Sequence, residues 1–405
     1  MSHIETQPAD PSVTHTLAEG VELCELSPDD DANYFFGYYD KSPYDAVGRY
    51  ALAGRAAFDD RMPTPDDVLT LGRIETAAAR DGQPRFEPLA ETTAWCWQQG
   101  TMLQWLPPGF DRHLVFNARR GDRFVAVVLD THTRETRELP RPVYAVDPRG
   151  RYAVSLNFAR LARSRPGYGY EGLADPHADD LMPADDGLWW VPLDGDAPRL
   201  ILSVADAVAL APLDEHHGVE HWFNHAGVNP DGSRISLLHR WRRGDGGWKT
   251  RLLTVGPDGR DGRVVADCGY FSHYDWVDPR RIVGWTEYPG RGESYVVVPD
   301  GAEAFCLIDA DRLDGDGHMS LSPDRTLMLS DTYPEAGRMR RLFLWGWPDG
   351  PYRELGRFFS PRPLREAIRT DLHPRWRRDG RAVCIDSAHA GRRAVYEVKL
   401  PPAEH

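Results

Sequence analysis

The stretch 225–238, His-Ala-Gly-Val-Asn-Pro-Asp-Gly-Ser-Arg-Ile-Ser-Leu-Leu, sets a histidine ahead of a turn and a β-rich run. The Pro, Asp and Gly in its middle are typical of a tight turn, and the Ile and Leu residues after them are typical of a strand. The same order recurs at His273 before 278–280, at His318 before 322–324 and at His373 before 378–380. One histidine at the same place in each of four repeats is hard to explain by packing alone.

The repeat extends towards the N-terminus without the histidine. An apolar stretch, a turn and a strand recur at 38–43, 104–108 and 144–148, which makes seven units in all. Units spaced by roughly 45 to 80 residues, each with room for four short strands, favour a β-propeller over a solenoid. The sequence therefore predicts an all-β fold, a seven-bladed β-propeller.

The two ends of the chain are predicted to meet in one blade. The last unit offers only three strands, near 374–376, 382–386 and 394–400. A propeller must join its ends, and the apolar run 21–26 is well placed to supply the missing fourth strand. An N-terminal strand in the last blade should therefore close the ring.

No long Gly/Ser-rich or Pro-rich linker divides the chain, so residues 1–405 are predicted to form a single propeller domain. Within it we expect residues 1–15 to be flexible. The longest gap between units contains 166–213, which we expect to be an insertion loop between blades three and four.

Composition narrows the choice of partner and compartment. The 62 acidic residues exceed the 48 Lys and Arg, and the net charge of −14 argues against nucleic acid. Five cysteines without paired spacing argue against a disulfide framework or a zinc ribbon. Residues 1–13 lack the basic start and apolar core of an export signal, and no stretch is apolar enough to cross a membrane. A cytoplasmic protein with no membrane partner is expected.

Strand polarity predicts where the histidines lie. The start of the first strand of a blade and the residues after its second strand share one face of a propeller, so the four histidines should converge on the channel mouth. The residues expected beside them follow second strands: Asn157, Arg160, His239, Arg240, Glu287, Asp331 and Asp386.

Neutral imidazoles gathered at one mouth are what a divalent metal ion requires. His225, His273, His318 and His373 are therefore predicted metal ligands, for Mn, Zn or Ca. The alternative is that each histidine caps a strand or bonds to a neighbouring blade. The segment 215–221 holds three more histidines, but its glycine argues against a zinc-binding helix.

Five parts of the chain carry recognisable motifs: 36–43, 97–100, Tyr144 with Arg160, 315–318 and 371–376. Together they resemble the seven-bladed propeller polysaccharide lyases, namely the oligogalacturonate lyases (family 22) and the ulvan lyases (families 24 and 25). The resemblance to the first group implies a Mn-like ion held by histidines, with a further histidine as base. The resemblance to the second implies a catalytic tyrosine and arginine at the spacing of Tyr144 and Arg160.

The chemistry of a uronate lyase explains these residue types. The enzyme removes the proton at C5, next to the carboxylate, and expels the oxygen at C4. A metal ion or an arginine must neutralise the carboxylate, and a histidine or tyrosine must take the proton. The predicted catalytic residues are Tyr144, Arg160 and His225. The predicted substrate-binding residues are Gln99, Asn157, His239, Arg240 and Tyr170.

The sequence thus predicts that the protein is a metal-dependent lyase that cleaves acidic, uronate-containing oligosaccharides by β-elimination. Two alternatives remain open. A glycoside hydrolase on the same scaffold would use paired carboxyl groups, which Glu287 with Asp331 or Asp386 could supply. A propeller without catalytic activity could instead bind a carbohydrate or a protein, because fold does not fix function.

Overall fold

The computed structural model describes residues 14–301, 305–308 and 313–401. These residues form seven antiparallel sheets, six with four strands and one with five. Each sheet is one blade, and its strands follow one another along the chain from the centre outwards. The predicted all-β, seven-bladed β-propeller is confirmed.

The strands have the following bounds in chain order. Two N-terminal strands come first: β1 (His15–Leu17) and β2 (Glu22–Glu25). Blade 1 contains β3 (Asn33–Phe35), β4 (Tyr50–Ala56), β5 (Leu69–Glu75) and β6 (Phe86–Thr92). Blade 2 contains β7 (Gln104–Trp105), β8 (His113–Arg120), β9 (Arg123–Asp130) and β10 (Thr136–Leu139). Blade 3 contains β11 (Ala145–Val146), β12 (Tyr152–Ser155), β13 (Gly187–Pro192) and β14 (Arg199–Ser203).

The remaining blades carry the four histidines of the repeat. Blade 4 contains β15 (His221–Val228), β16 (Ile235–Arg242), β17 (Trp248–Val255) and β18 (Arg263–Ala266). Blade 5 contains β19 (Phe271–Asp278), β20 (Arg281–Tyr288), β21 (Gly292–Pro299) and β22 (Cys306–Leu307). Blade 6 contains β23 (Ser320–Leu321), β24 (Leu327–Asp331), β25 (Met339–Gly346) and β26 (Tyr352–Phe359). Blade 7 contains β27 (Arg375–Trp376), β28 (Ala382–Ser387) and β29 (Ala394–Lys399).

Helix is scarce in the described residues. The α-helices are α1 (Thr76–Arg80), α2 (Phe158–Ser164) and α3 (Val204–Leu210), and single 3₁₀ turns occur at Asp214–His216, Ala336–Arg338 and Glu366–Ile368. None of these helices is long and apolar enough to cross a membrane.

The predicted turns join the first two strands of their blades. In blade 4 the amide of Gly232 donates to the carbonyl of Asn229 at 3.0 Å, and Gly232 has a φ of 72°. Glycine adopts this left-handed conformation without steric cost, which explains its place at the end of the turn. The turn brings Val228 opposite Ile235 and sets the register of β15 and β16.

The ring closes as predicted, through an N-terminal strand in blade 7. Strand β2 pairs with β29, from Glu22 opposite Lys399 to Glu25 opposite Tyr396. The amide of Leu26 then donates to the carbonyl of Val395 at 2.8 Å. A second pairing was not predicted: β1 adds a fifth strand to the outer edge of blade 6, next to β26.

The expected insertion loop 166–213 is corrected by the structure. This segment contains β13 and β14, the two outer strands of blade 3, as well as α3. Its apolar run 188–191 lies in β13, which pairs with β12, and its run 200–202 lies in β14, which pairs with β13. Of the segment expected to be flexible, residues 1–13 lie outside the described residues, whereas His15 already pairs with Phe358.

The closure predicts a specific stability loss in Leu26→Ala. Leu26 is fully buried between blades 7 and 1, so its truncation should lower the free energy of unfolding by about 2–5 kcal/mol. Glu22→Ala, which removes an exposed ion pair with Lys399 from the same strand, should cost about 1 kcal/mol or less. Urea unfolding of both variants provides the measurement, and equal losses would contradict this account of the closure.

Candidate active site

Two of the four histidines lie at β-bulges in innermost strands. The register of β15 with β16 shifts between Asn224 and Gly227, and the register of β19 with β20 shifts between Phe271 and Tyr274. His225 and His273 fall inside these interruptions. A bulge leaves its extra residue unpaired and redirects its side chain, which is why bulges are common beside active sites.

The other two histidines stand just ahead of very short inner strands. His318 and His373 each precede, by two residues, a first strand that is only two residues long. His373 has a φ of 42° and His225 a φ of 49°, so two of the four histidines occupy the left-handed region that disfavours residues with a side chain. Two inner strands are therefore interrupted at their histidine, and the other two begin only after it.

These interruptions gather the four imidazoles into one buried cluster. The ring centres of His273 and His318 are 4.3 Å apart, as are those of His318 and His373, while His225 and His273 are 6.1 Å apart. Each histidine is at most 8% exposed. The predicted convergence of histidines from four blades is present in the structure.

Two of these imidazoles are each hydrogen-bonded to an aspartate through the ring nitrogen Nδ1. Asp316 lies 3.0 Å from Nδ1 of His273, and Asp331 lies 2.9 Å from Nδ1 of His318. A carboxylate only accepts hydrogen bonds, so Nδ1 carries the proton and Nε2 presents its lone pair. Aspartate–histidine pairs of this kind orient metal ligands and catalytic bases.

His318 and His373 form a group with Asp371 that could hold a metal ion. Their ligand atoms all lie within 4.8 Å of one another. The Nε2 atoms of both histidines are buried and have no hydrogen-bond partner among the described residues. Burial lowers the pKa of His373 well below its ordinary value, so this imidazole is neutral and free to coordinate. The donor set fits a divalent ion.

Asp371 is the carboxylate of this group and is already paired with arginine. It lies 2.7 Å from Arg340 and 2.6 Å from Arg369. Burial alone would raise the pKa of Asp371, but the two guanidinium groups outweigh that effect and hold it well below its ordinary value. The carboxylate is therefore ionised.

Tyr38 lies at the centre of the cluster. Its ring centre is 5.0 Å from those of His225 and His373, 6.1 Å from that of His318 and 6.3 Å from that of His273. The Tyr38 hydroxyl is 3.3 Å from Nε2 of His225. The sequence analysis did not assign a role to this residue.

Arg240 is a buried cation to which the described residues supply no anion. Its Nε and Nη1 atoms are buried and have no hydrogen-bond partner in the described part of the chain. Burial lowers the pKa of Arg240 to about 10, so it remains charged at neutral pH. Burial, and after it the positive charge of Arg240, lowers the pKa of nearby His225. A buried, unpaired guanidinium is costly unless a ligand pairs with it. Its predicted role in substrate binding remains consistent with this geometry.

The hydroxyl of Tyr144, a predicted catalytic residue, is hydrogen-bonded to neighbouring groups of the protein. Its hydroxyl donates to Oδ1 of Asn224 at 3.2 Å and accepts from Nε2 of Gln99 at 2.6 Å and from the amide of His225 at 3.1 Å. These bonds use its donor and both acceptor sites. Gln99, a predicted substrate-binding residue, donates to Tyr144 through Nε2, while its buried Oε1 has no hydrogen-bond partner among the described residues.

Tyr144 instead fixes the backbone of His225. Asn224 also accepts from the amide of His225 at 2.9 Å, and the Tyr274 hydroxyl donates to the carbonyl of His225. A non-glycine residue at positive φ costs about 1–3 kcal/mol and persists only where its surroundings hold it. The three side chains supply that restraint.

Arg160 and Asn157, predicted to be catalytic and substrate-binding residues, are bonded to groups of the protein in the structure. Arg160 is 2% exposed, and its guanidinium binds Asp175 at 3.1 Å and the backbone carbonyls of residues 177, 180, 181 and 221. Asn157 caps α2 and donates to Asp175 and Asp186. Both side chains fasten the segment 175–186, and neither has a donor left for a substrate carboxylate.

His239 and Tyr170 do not face the histidine cluster. Nε of Arg251 donates to Nδ1 of His239, whose Nε2 lies 2.9 Å from Nδ1 of His221. Nε2 of His221 in turn lies 3.0 Å from the carbonyl of His216. Because Arg251 can only donate, Nδ1 of His239 accepts, Nε2 of His239 donates to His221, and Nε2 of His221 donates to the carbonyl of His216. Both ring nitrogens of His239 are therefore occupied. Tyr170 stacks on Phe158 at 4.3 Å and is fully buried.

The carboxyl groups named for a hydrolase are not paired in a common site. Asp331 supports His318, while Asp386 binds Arg375 at 2.8 Å and accepts from the amides of Phe36 and Gly37. Glu287 is exposed on β20. The expected acid and base pair is therefore not assembled.

Several site residues were missed by the sequence analysis. Asp316 and Asp371 each lie two residues before a repeat histidine, a spacing that could have revealed them. Tyr38 was noticed only as part of a motif. No local signal indicates that its side chain would reach histidines from four other blades.

Comparison with protein-family models found no match, and a search of curated proteins found no relative in sequence. Solved structures give clear similarities. The oligogalacturonate lyase of Vibrio parahaemolyticus superimposes with a TM-score of 0.66 at 13% identity, over 96% of this chain and 98% of that chain. An oligogalacturonate lyase in complex with manganese gives 0.67 at 16% identity, over 96% and 97%. The fold is that of the oligogalacturonate lyases.

The propeller also resembles that of a protease. Prolyl oligopeptidase B from Galerina marginata superimposes with a TM-score of 0.51 at 9% identity, covering 88% of this chain and 46% of that chain. Identities this low establish the fold alone, and the chemistry must be argued from the site.

The placement of Arg160 predicts a structural phenotype. Arg160→Met should lower the free energy of unfolding by about 3–5 kcal/mol, because it leaves buried carbonyl groups and Asp175 without a main partner. Arg163 binds the same carboxylate from the same helix but is 41% exposed, so Arg163→Met should cost only about 1 kcal/mol. Urea unfolding measures both. A substrate clamp would behave differently, with unchanged unfolding and a raised KM in Arg160→Met.

Proposed function

We propose that this protein is a metal-dependent lyase that cleaves uronate-containing oligosaccharides by β-elimination. The observation that carries the proposal is the buried cluster of four histidines, with two open Nε2 atoms, beside the unpaired guanidinium of Arg240. The whole-chain similarity in fold to oligogalacturonate lyases supports it.

His318, His373 and Asp371 would hold the metal ion. Two imidazoles and one carboxylate suit Mn²⁺ or Zn²⁺ better than Ca²⁺, which prefers a shell of oxygen ligands. We favour manganese, the ion present in one of the similar lyase structures. When bound, the ion would supply positive charge that neutralises the uronate carboxylate and makes the C5 proton more acidic.

Arg240 would bind a carboxylate of the substrate. Its guanidinium offers a planar pair of donors that matches a carboxylate, and the absence of a partner among the described residues leaves these donors available. Pairing would relieve the cost of the buried charge. The positive charge of Arg240 also favours the dianion-like transition state that forms when the C5 proton leaves.

His273 would act as the base. Its Nδ1 is held by Asp316, which fixes the tautomer and turns the lone pair of Nε2 away from the carboxylate. Burial lowers the pKa of His273, which keeps the ring neutral and able to accept a proton. The sequence predicts a histidine or a tyrosine as the base, with His225 among the catalytic residues. Nδ1 of His225, however, has no hydrogen-bond partner among the described residues, and its Nε2 lies 3.3 Å from the Tyr38 hydroxyl.

A hydrolase is the less favoured alternative because Asp331 and Asp386 are both committed to other partners. Carboxyl groups that act as acid and base must face the scissile bond from two sides. A non-catalytic binding propeller remains the other alternative, and the elimination assay separates all three functions.

The test of function is the formation of an unsaturated product. The purified, manganese-loaded protein should convert short oligouronates into products with a C4–C5 double bond, which absorbs in the near ultraviolet. His273→Ala should reduce turnover about 10²–10⁴-fold, the range for loss of a base, and should retain the metal. New reducing ends without this absorbance would indicate a hydrolase. Binding without either product would indicate a non-catalytic protein.

The metal site predicts a separate result that does not depend on activity. The protein should bind close to one manganese ion per chain, and the ion should raise the melting temperature because it binds only the folded state. His318→Ala should lose most of the ion. His221→Ala, which alters the second buried histidine group, should retain it. Metal analysis and thermal melts with and without chelator provide the measurements, and retention of the ion by His318→Ala would contradict the assignment.

A further inference from the structure

We propose that Tyr38 is the general acid of the reaction, the group whose hydroxyl proton is taken up by the departing C4 oxygen. This inference deepens the proposed function and rests on it. The decisive observation is that the Tyr38 hydroxyl lies against the ring nitrogen Nε2 of His225 while the Tyr38 ring contacts all four histidines of the cluster.

The segment that carries Tyr38 is held firmly in place. Tyr38 lies between β3 and β4, and its carbonyl accepts a hydrogen bond from Nε of Arg375 at 2.9 Å. Arg375 also donates to the carbonyl of Gly37 and pairs with Asp386. Arg375 is 1% exposed. The phenol is thus positioned by a buried ion pair in blade 7 rather than by a mobile loop.

The hydroxyl of Tyr38 retains hydrogen-bonding capacity that its neighbours have used. Its one contact among the described residues is the 3.3 Å approach to Nε2 of His225, which leaves room for a second partner. The Tyr39 hydroxyl, by contrast, donates to the carbonyl of Tyr274 and accepts from the amide of Tyr274, both at 3.1 Å. The Tyr144 hydroxyl is occupied by three bonds.

The chemistry of a phenol favours an acid over a base. A tyrosine hydroxyl ordinarily keeps its proton at neutral pH, which makes that proton available to the leaving oxygen. A sugar alkoxide is a stronger base than a phenolate, so the proton moves readily from Tyr38 to the oxygen as the C4–O bond breaks. An acid in this position protonates the leaving oxygen as the bond breaks, so no free alkoxide forms in a poorly solvated environment.

The bonds and protons balance as follows. His273 takes the proton from C5, and the electron pair of that C–H bond forms the C4–C5 double bond. The C4–O bond breaks with its pair on oxygen, and the oxygen receives the Tyr38 proton. The Tyr38 phenolate then regains a proton from solvent, for which the adjacent His225 ring is the path, and His273 releases its proton to solvent. One proton enters the site and one leaves it per turnover.

The experiment compares Tyr38→Phe with Tyr39→Phe, two neighbouring phenols of similar burial. In manganese-loaded protein, Tyr38→Phe should lose about 10²–10⁴-fold in kcat with little change in KM, metal content or melting temperature. Tyr39→Phe should show the reverse, because it leaves the buried amide of Tyr274 unpaired: a lower melting temperature with turnover near that of the wild type.

A second substrate tests the acid role directly. A uronate with a good leaving group at C4, such as an aryl oxide, needs no proton from the enzyme, so Tyr38→Phe should cleave it within about tenfold of the wild type. Equal losses on both substrates, or loss of manganese from Tyr38→Phe, would overturn the assignment in favour of a structural or ligand role.

Full activity of Tyr38→Phe with loss in Tyr333→Phe would move the acid to Tyr333, whose ring lies 5.7 Å from His318. No unsaturated product from the wild type would instead overturn the proposed function, and this inference with it.

Discussion

The closure of the ring is the constraint on which the rest of the structure depends. Each blade contributes at most a few residues to the centre, so the centre exists only when all seven blades are held in a circle. The pairing of β2 with β29, sealed by the buried Leu26, keeps blade 7 against blade 1. A site assembled from separate blades is therefore a property of the closed ring and not of any local segment.

Inside that ring, the site is produced by defects in otherwise regular strands. Bulges at His225 and His273, and two-residue inner strands after His318 and His373, release backbone groups that a regular ladder would pair. The released groups are paired by side chains instead, as Tyr144 and Tyr274 do for His225. Regular outer strands carry the stability that makes these irregularities tolerable. Because the neutral imidazoles are buried, water cannot hydrogen-bond to their nitrogen lone pairs. These lone pairs are suited to bind a cation.

Much of the fold and part of the site were predictable from the sequence. Turn residues and β-rich runs recur along the chain, so the seven blades, the closing strand and the convergence of the histidines follow from repeat register. The roles of Tyr144 and Arg160 could not be predicted in this way. Register places a residue at the mouth, but it does not say which neighbours use its hydrogen-bonding groups. Arg160 lies in α2 and pairs with Asp175, and its spacing from Tyr144 does not reveal this partner.

The two N-terminal strands have a consequence for the metal-binding group. Strand β1 is added to blade 6 and strand β2 to blade 7, so the short connection between them fastens these two blades to each other. The same two blades supply His318 on one side and Asp371 with His373 on the other. The N-terminal strands therefore stabilise the interface between blades 6 and 7 at its outer edge, and a bound ion would stabilise the same interface near the centre of the propeller. By reciprocal linkage, a change that detaches the N-terminal strands should weaken the affinity for the ion. The bound ion should in turn protect these strands from local unfolding.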